Sequence, residues 1–350
     1  MNFNLDTLSV WEKLQASEEP VIMYGTGNGA DKVLDIFEEM NINISGITAS
    51  NSFVRKREFR GFPVMPISHF EETLESFTVI ITFGTSIPEV MENIYDIAER
   101  HRVLVPVVPV IGTEIFDRNF LNMHKNKINT AYNLMADDFS KKIFAGYINF
   151  LFGGEINILK EITTSEEEAF INILKLTENE TYIDIGAYRG DTVDKFLSFS
   201  NGKYENIVCA EPDTKSFNKL IIHCENLSNF AAFNAAVTDI DGEIGFSDVH
   251  GRQSAIGGEK LTKSFTLNTL SEGVSPTYIK IDSEGCENEI LRKGEQILKS
   301  FKPKLNIAAY HKCADVFTLP ILINSINPEY KIHLRHHPYI PAWDTLLYCI

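Results

Sequence analysis

The segment TYIDIGAYRGDTV, residues 181–193, constrains this chain more than any other stretch. It begins with the apolar residues of a strand, passes through a turn that contains Gly186 and Gly190, and ends where Asp191 starts a helix. A strand, a glycine turn and a helix in this order present backbone N–H groups and a helix N-terminus to a ligand. We therefore predict an α/β fold with a ligand site at this turn.

Residues 1–111 are predicted to form a small Rossmann-like domain. An amphipathic helix is expected over residues 1–19. Strands then alternate with helices, a pattern typical of parallel sheets with crossover helices. Within this domain Gly25 and Gly27 form a second glycine turn that fits a dinucleotide fingerprint. The next strand ends without an acid that could bind a ribose, so we favour a vestigial or sugar-nucleotide-binding unit over an NAD site.

Residues 112–179 are predicted to form a helical connector. Strand patterns are missing from this segment, and apolar residues recur at helical spacing. One helix is expected to run as far as the Gly153-Gly154 pair. A second helix should begin behind a cap at Ser165.

Residues 180–350 are predicted to form a second α/β domain. Its third strand is expected over residues 233–237, followed by a hairpin turned at residues 241–242. The last two strands, residues 330–335 and 345–349, have no helix between them, which predicts an antiparallel pair. Five parallel strands with a terminal antiparallel pair make a seven-stranded sheet of the Rossmann-like class I methyltransferase type, and not that of a nicotinamide dehydrogenase.

Composition limits the partners of this protein. The formal net charge of −16 argues against a nucleic-acid backbone or an anionic membrane as the main partner. Five scattered cysteines without a CxxC pair suggest reduced thiols in the cytoplasm. The N-terminus lacks the pattern of a signal peptide, and no apolar run suits a membrane span. We expect a cytoplasmic protein, either a monomer or a homo-oligomer.

The cofactor is suggested by what surrounds the glycine turn. Glu211 lies 21 residues after Gly190, at the end of the next strand, where a carboxylate can accept hydrogen bonds from both hydroxyls of a ribose. The turn lacks the middle glycine that lets a pyrophosphate approach the backbone, because residues 187–189 are Ala-Tyr-Arg. S-adenosylmethionine has no phosphate, so this departure favours the methyl donor over NAD.

The expected cofactor site also includes an acid inside the first strand, Asp184, which could meet the positively charged amino end of the methyl donor. Asn234 and Ala235 are expected near the adenine. The alternative is that the glycines only shape a tight turn and that Asp184 caps the next helix. The complete predicted set is Asp184, Gly186, Ala187, Tyr188, Gly190, Asp191, Thr192, Glu211, Pro212, Asn234 and Ala235.

The candidate catalytic residues follow the fourth and fifth strands. Asp282, Glu284 and His311 are each a candidate base for removing the proton of an attacking hydroxyl. Asp282 and Glu284 could also hold a divalent cation that acidifies the hydroxyl, although no dedicated metal site is expected. The alternative for His311 is a buried histidine whose hydrogen bonds are satisfied within the core. The alternative for the acids Glu284 and Glu287 is that they stabilise a helix N-terminus, and for Glu287 we favour this alternative.

Two further segments are candidates for the acceptor side. Arg335, His336 and His337 lie on the edge strand and its turn, where they could line an acceptor site. The polar, glycine-rich residues 250–258 are expected to form a lid or substrate loop.

Taken together, these motifs resemble the FkbM family of S-adenosylmethionine-dependent methyltransferases. The resemblance covers about residues 180–350 and is carried by IDIGAYRGDT, CAEPD, TLNTL, YIKIDSEGCENEIL, AAYHK and the closing LRHH and DTLLY. The chain departs from the family at Ser283, where IDVEG is usual, and at Asn268, where an acid is usual. The resemblance implies a class I fold and methylation of a hydroxyl on a sugar or natural product, with S-adenosylhomocysteine as the second product.

The sequence therefore predicts a methyltransferase that O-methylates a small-molecule or glycan acceptor. One alternative is a non-catalytic scaffold or sugar-nucleotide-binding protein that keeps the cofactor fold. Another is an NAD-linked enzyme that uses the first glycine turn, which the missing ribose acid disfavours.

Overall fold

The structure, a computed structural model, describes residues 3–50, 58–246 and 260–350. Over these ranges the chain has one parallel-dominated sheet in each half and a small third sheet in the second half. This confirms the predicted fold class, a Rossmann-like class I methyltransferase fold preceded by a smaller Rossmann-like unit and a helical segment. The domain boundaries at 111/112 and 179/180 stay predictions.

The first sheet contains short strands that are mostly apolar. Over the described ranges they are β1 (Val21–Tyr24), β2 (Gly46–Thr48), β3 (Glu58–Phe59), β4 (Phe62–Met65), β5 (Thr78–Ile81) and β6 (Arg102–Leu104). Their order is β3-β4-β2-β1-β5-β6, and β1 pairs in parallel with both β2 and β5. The two central strands β1 and β5 are buried along their whole length, as expected for a sheet covered on both faces. The helices of this half are α1 (Val10–Gln15), α2 (Asn28–Met40), α3 (Ile67–Thr73) and α4 (Pro88–Arg100).

The N-terminal helix α1 is much shorter than the predicted helix over residues 1–19. Ser9 Oγ accepts the Glu12 N–H at 3.2 Å, and Glu12 Oε2 accepts the Ser9 N–H at 2.7 Å. This reciprocal capping starts the helix at Val10. Trp11 in this helix is buried, whereas Leu8 lies before the cap and is exposed.

The connector contains more helix boundaries than the sequence predicted. Its helices are α5 (Arg118–Leu134), α6 (Asp138–Gly153), α7 (Ile156–Ile162) and α8 (Glu166–Glu168), which continues as a π-helical turn over Ala169–Leu174. The predicted single helix is interrupted before Asp137, whose Oδ1 accepts the Ser140 N–H at 2.6 Å and caps α6. The breaks at Gly154 and Ser165 are confirmed: Gly154 has a φ of 72°, and Ser165 Oγ accepts the Glu168 N–H.

The second half of the described chain contains the larger sheet and the small third one. The strands are β7 (Thr181–Ile185), β8 (Asn206–Ala210), β9 (Phe230–Phe233), β10 (Ala236–Val237), β11 (Gly242–Phe246), β12 (Lys260–Phe265), β13 (Tyr278–Ile281), β14 (Lys304–Ala308), β15 (Ile332–His336) and β16 (Thr345–Cys349). The helices are α9 (Asp191–Phe199), α10 (Thr214–His223), α11 (Leu267–Leu270), α12 (Glu287–Lys293), α13 (Glu295–Phe301) and α14 (Asp315–Ile326).

The larger sheet has the strand order β15-β16-β14-β13-β7-β8-β9. β16 is antiparallel to both β14 and β15, while the pairs among β13, β14, β7, β8 and β9 are parallel. The predicted set of parallel strands with a terminal antiparallel pair is confirmed. The strand order reverses direction at β7, so the turn after β7 lies at the switch point where ligands bind in open α/β sheets.

Three details of this half differ from the sequence prediction. The third strand ends at Phe233, and residues 236–237 belong to the small sheet instead. The predicted hairpin at residues 241–242 is wrong, because β11 pairs with β12, and Asp241 Oδ1 accepts the Thr266 N–H at 2.7 Å. The sequence also predicts one continuous helix over residues 287–298, whereas the structure splits this segment at Gly294, between α12 and α13.

One apolar core joins the two halves of the chain. It includes Ile22 of β1, Ile148 of α6 and Ile307 of β14, all with no exposed surface. The helices of the connector therefore pack against both sheets. No helix in the described ranges combines the length and the apolar character that a bilayer span requires.

Candidate functional site

A cavity of about 850 Å³ lies at the carboxyl ends of the parallel strands of the larger sheet. Gly186 follows β7, Glu211 follows β8 and Asp282 follows β13, and all three line this cavity. Most of the predicted site residues line it as well: Gly186, Tyr188, Asp191, Thr192, Glu211, Pro212, Ala235, Asp282, Glu284 and His311. Four predicted residues do not line it: Asp184, Ala187, Gly190 and Asn234.

The turn after β7 depends on its glycines. Gly186 has a φ of 78°, and a Cβ atom there would overlap the carbonyl oxygen of Asp282. Gly190 has a φ of 98°, and a Cβ atom there would lie 2.8 Å from His223 Cδ2. Both positions therefore favour glycine for conformation and for space. The close approach to Asp282 brings the turn against the candidate catalytic residues.

Glu211 is held in place by the backbone of two neighbouring turns. Its Oε2 accepts the Tyr188 N–H at 2.8 Å, and its Oε1 accepts the Asp213 N–H at 2.8 Å. Tyr188 has a φ of 47°, a left-handed conformation that is unusual for this residue type. Burial raises the pKa of Glu211 to about 7. Each carboxylate oxygen can accept a further hydrogen bond, which suits a pair of vicinal hydroxyls.

Asp184 is paired inside the sheet with a residue that the sequence analysis missed. Asp184 has no exposed surface, and Lys280 Nζ of the neighbouring strand lies 3.3 Å from its Oδ1. Thr192 Oγ1 donates to Asp184 Oδ2 at 2.5 Å. Burial disfavours the charged form of Lys280, but Asp184 and Asp282 outweigh burial and raise the pKa of Lys280. In this geometry the carboxylate of Asp184 faces Lys280 instead of the cavity, which differs from the expected direct contact with a ligand.

Asn234 and Ala235 follow the end of β9 and have separate positions. Asn234 Nδ2 donates to the carbonyl oxygens of Glu211 at 2.9 Å and Pro212 at 3.1 Å. Asn234 therefore fixes the turn that carries Glu211. Ala235 is buried and lines the cavity next to that turn.

His311, which lines the cavity, forms a buried pair with Glu287. His311 Nδ1 lies 2.9 Å from Glu287 Oε1, and both side chains are almost fully buried. The same Glu287 oxygen accepts the N–H groups of Ser283 at 2.9 Å and Gly285 at 3.3 Å. Burial lowers the pKa of His311, but the neighbouring Glu287 outweighs burial and raises it above the usual value. Glu287 thus does more than begin α12, because it also orients His311.

Asp282 and Glu284 face the other nitrogen of His311. Asp282 Oδ1 lies 3.3 Å from His311 Nε2, and Glu284 Oε2 lies 3.7 Å from it. Glu284 has a φ of 51°, so the turn holds this side chain in a left-handed conformation. Burial raises the pKa of Glu284 to about 7, and its buried Oε2 accepts no hydrogen bond from any residue that the structure describes. The structure brings all three predicted catalytic residues together.

The same cluster has a donor set that fits a divalent cation. Asp282, Glu287 and His311 each offer one ligand atom, and these atoms lie within 4.8 Å of one another. Carboxylate oxygens and an imidazole nitrogen suit transition metals better than Mg²⁺, which prefers oxygen ligands. Glu284, which the sequence offered with Asp282 as a possible cation ligand, is not part of this group.

Comparison with known proteins identifies the domain that carries this cavity. Residues 184–339 match the family described as "Methyltransferase FkbM domain". Residues 184–339 form an FkbM methyltransferase domain. Methyl transfer is therefore its general reaction, and the predicted family is confirmed. No curated protein matches the chain significantly.

A solved structure agrees with this fold over nearly the whole chain. The structure of methyltransferase FkbM from Methylobacillus flagellatus KT has a TM-score of 0.74 and 20% sequence identity, and the match covers 99% of this chain and 94% of that chain. The match therefore includes the first Rossmann-like unit and the connector as well as the FkbM domain. The precorrin-6y C5,15-methyltransferase from Geobacter metallireducens GS-15 has a TM-score of only 0.34 and 13% identity, over 54% of this chain and 90% of that chain.

The histidine-rich edge strand of the FkbM domain does not line the cavity, contrary to the prediction. Arg335 Nε donates to Glu168 Oε2 at 2.6 Å, which ties β15 to the connector. His336 and His337 are buried, and His337 Nε2 lies 2.8 Å from the hydroxyl of Tyr348. His336 Nδ1 lies 3.0 Å from Thr345 Oγ1, and its buried Nε2 has no hydrogen-bond partner among the described residues. A strand pattern alone did not indicate this packing of β15 and β16.

Several residues that line the cavity of the FkbM domain were missed in the sequence. Ser86 and Val110 come from the first Rossmann-like unit, and Trp343 and Asp344 come from the turn before β16. Lys280 alternates with apolar residues in YIKID, and a charge inside a buried strand was the signal that could have revealed its pairing with Asp184.

Gly25 of the first glycine turn packs closely against the residue after β5, because a Cβ atom there would lie 2.6 Å from Thr82 Oγ1. A Cβ atom on Gly29 would overlap the Thr82 carbonyl oxygen, so this glycine lets α2 lie close to the end of β5. The ligand of this unit stays a prediction. The basic residues 55–57 that follow β2, and the predicted lid over residues 250–258, lie outside the described residues.

Proposed function

We propose that this protein transfers the methyl group of S-adenosylmethionine to a hydroxyl group of a sugar or glycan precursor. The observation that carries the proposal is that one cavity contains both the Glu211 carboxylate and the Asp282–Glu284–His311 cluster. The first suits the ribose of the methyl donor, and the second suits proton removal from an acceptor. The net charge of −16 further supports a small acceptor over a nucleic acid.

The methyl donor would occupy the end of the cavity that the β7 and β8 turns surround. Glu211 would accept hydrogen bonds from the ribose hydroxyls, and the backbone at Gly186 would border the amino-acid part. Pro212 and Ala235 would border the adenine. Asp184 would not contact the methyl donor. Its pairing with Lys280 would instead fix the ends of β7 and β13 that border the donor.

In the proposed reaction the acceptor oxygen attacks the methyl carbon of the sulfonium in line. A C–O bond forms, the C–S bond breaks, and S-adenosylhomocysteine leaves with the electron pair on sulfur. The hydroxyl proton passes to Glu284, whose raised pKa near 7 suits a base at neutral pH. His311 in its protonated form has no lone pair to accept a proton, so its proposed role is to stabilise the Asp282 and Glu284 carboxylates.

A divalent cation at Asp282, Glu287 and His311 would supply a second way to acidify the acceptor hydroxyl. Chelation with EDTA tests whether a cation takes part in the reaction. A loss of methyl transfer that added Mn²⁺ or Mg²⁺ restores would include the metal in the proposed mechanism. Unchanged methyl transfer would leave proton removal to the carboxylate.

Calorimetry with S-adenosylhomocysteine tests the cofactor part of the proposal. We expect binding by the native protein and loss of binding in Glu211→Gln. Glu205→Gln is a matched control, because Glu205 is exposed at the opposite end of β8. Transfer of radiolabelled methyl groups to a panel of saccharides tests the reaction. Absence of S-adenosylhomocysteine binding would refute the proposal, and binding without transfer to any acceptor would favour a non-catalytic scaffold.

A further inference from the structure

The first Rossmann-like unit reaches directly into the cavity of the FkbM domain. Ser86 and Val110 of this unit line the same cavity as Glu284 and His311. The Thr85 N–H donates to the Ile340 carbonyl at 2.7 Å, and the Ile340 N–H donates back to Thr85 at 3.0 Å. This two-way backbone pairing fixes the segment that carries Ser86 against the FkbM domain.

A second contact strengthens this junction next to the candidate catalytic cluster. The Trp343 ring packs on the backbone of Gly84, where a Cβ atom would lie only 2.5 Å from Trp343 Cζ3. The Ile111 N–H donates to the carbonyl oxygen of His311 at 3.0 Å. The wall from the first unit therefore stands beside the part of the cavity that Asp282 and His311 line.

The part of the cavity next to this wall is lined by aromatic and acidic side chains. The rings of Tyr339 and Trp343 lie 5.5 Å apart at 36°, and both line the cavity. Asp344 joins Asp282 and Glu284 as a cavity-lining carboxylate. Aromatic faces pack against the apolar C–H faces of a sugar ring, and carboxylates accept hydrogen bonds from sugar hydroxyls.

The cavity-lining cations are placed unfavourably for an acceptor phosphate. Lys280 is paired with Asp184, and Lys195 is paired with Glu166. Lys215 and Lys219 lie on α10, which follows Glu211, and Arg189 lies on the turn after β7 with its guanidinium over the Tyr188 ring. His311 is paired with Glu287. A phosphate beside Asp282, Glu284 and Asp344 would meet like charge, which costs binding free energy.

We propose that the first Rossmann-like unit and the Tyr339–Trp343 pair together form the acceptor compartment, and that it receives an unphosphorylated sugar unit. This inference rests on the proposed function and adds the class of acceptor and the residues that select it. Ser86 is a specificity-determining residue in this arrangement, because it stands at the wall without contacting the expected cofactor end.

Saturation-transfer NMR on the full chain loaded with S-adenosylhomocysteine tests this assignment. The probes are neutral methyl glycosides, the corresponding sugar 1-phosphates and the nucleotide diphosphate sugars. We expect signals from at least one neutral glycoside and at least tenfold weaker binding of its phosphorylated counterparts. Tighter binding of the phosphorylated forms, or no binding of any neutral glycoside, would overturn the inference.

Substitutions on either side of β5 test whether the first Rossmann-like unit lines the acceptor compartment. Ser86→Phe should fill the compartment and abolish the glycoside signal, while Ser76→Phe, at an exposed position before β5, should leave it unchanged. Binding of S-adenosylhomocysteine should stay within about twofold of the native value in both variants. A native glycoside signal in Ser86→Phe would overturn the assignment. Failure of the native chain to bind S-adenosylhomocysteine would instead refute the proposed function.

Discussion

Lys280 Nζ lies 3.3 Å from Asp184 Oδ1 across the paired strands β13 and β7, and Asp184 has no exposed surface. The two residues are also direct partners in the strand register. Removing one member would leave the other charge buried without its partner. The pair therefore links the strand that begins the cofactor turn with the strand that ends in Asp282.

We predict that Lys280→Met lowers the free energy of unfolding by about 3–5 kcal/mol, the usual cost of leaving a buried charge unpaired. Urea denaturation followed by circular dichroism would measure this change. Asp184→Asn combined with Lys280→Met should recover much of the loss, since no charge then remains unpaired. Lys203→Met, which breaks an exposed pair with Glu178, should leave the unfolding midpoint nearly unchanged. Equal losses of unfolding free energy in Lys280→Met and Lys203→Met would contradict the prediction that the buried pair stabilises the fold.

The raised pKa of Glu211 predicts that cofactor binding depends on pH. Ribose hydroxyls donate hydrogen bonds, so they bind the ionised carboxylate better than the protonated one. Affinity for S-adenosylhomocysteine should therefore increase as pH rises through about 7. Below that pH it should fall by up to about tenfold per pH unit. Calorimetry between pH 5.5 and about 8.5 would show the slope, which Glu211→Gln should remove along with most of the affinity.

Glu284 is predicted to act in the chemical step and not in cofactor binding. Glu284→Gln removes the basic carboxylate at similar size, so kcat should fall by about 10²–10⁴ while the affinity for S-adenosylhomocysteine stays unchanged. Single-turnover methyl transfer separates these quantities. Glu272→Gln, at an exposed position on the same domain, serves as the control. Native kcat in Glu284→Gln would assign the proton to another acceptor, with Asp282→Asn as the next variant to measure.

Alanine substitutions at two glycines of similar φ distinguish the effect of backbone strain from the effect of a steric overlap. Gly186 has a φ of 78° and Gly273 a φ of 81°, so alanine at either position adds about 1–2 kcal/mol of left-handed strain. Only at Gly186 would the added Cβ also overlap Asp282, since Gly273 has open space. Gly186→Ala should therefore lose binding of S-adenosylhomocysteine, and Gly273→Ala should keep it. Comparable affinities in the two variants would show that the turn does not need this approach.

Local pattern was enough to predict much of the larger sheet. Apolar runs separated by helices and a final pair without a helix indicated parallel strands that end in an antiparallel pair, and Glu211 was found from its distance to Gly190. Prediction failed where contacts distant in sequence decide the structure. The hairpin at residues 241–242 was wrong because β12 pairs with β11. The edge histidines appeared free to bind an acceptor, whereas β16 and the connector enclose them.

By itself, the sequence determined the fold class, the FkbM resemblance, and the positions of Gly186, Glu211, Asp282 and His311 at strand ends. These features follow from periodicity and from the rule that parallel strands end on one edge. Only the tertiary structure decided how charges meet inside the protein. Burial and neighbouring side chains turn Asp184 toward Lys280 and pair His311 with Glu287. The tertiary structure also brings Ser86 of the first unit to the wall of the cavity, because that contact joins surfaces far apart in sequence.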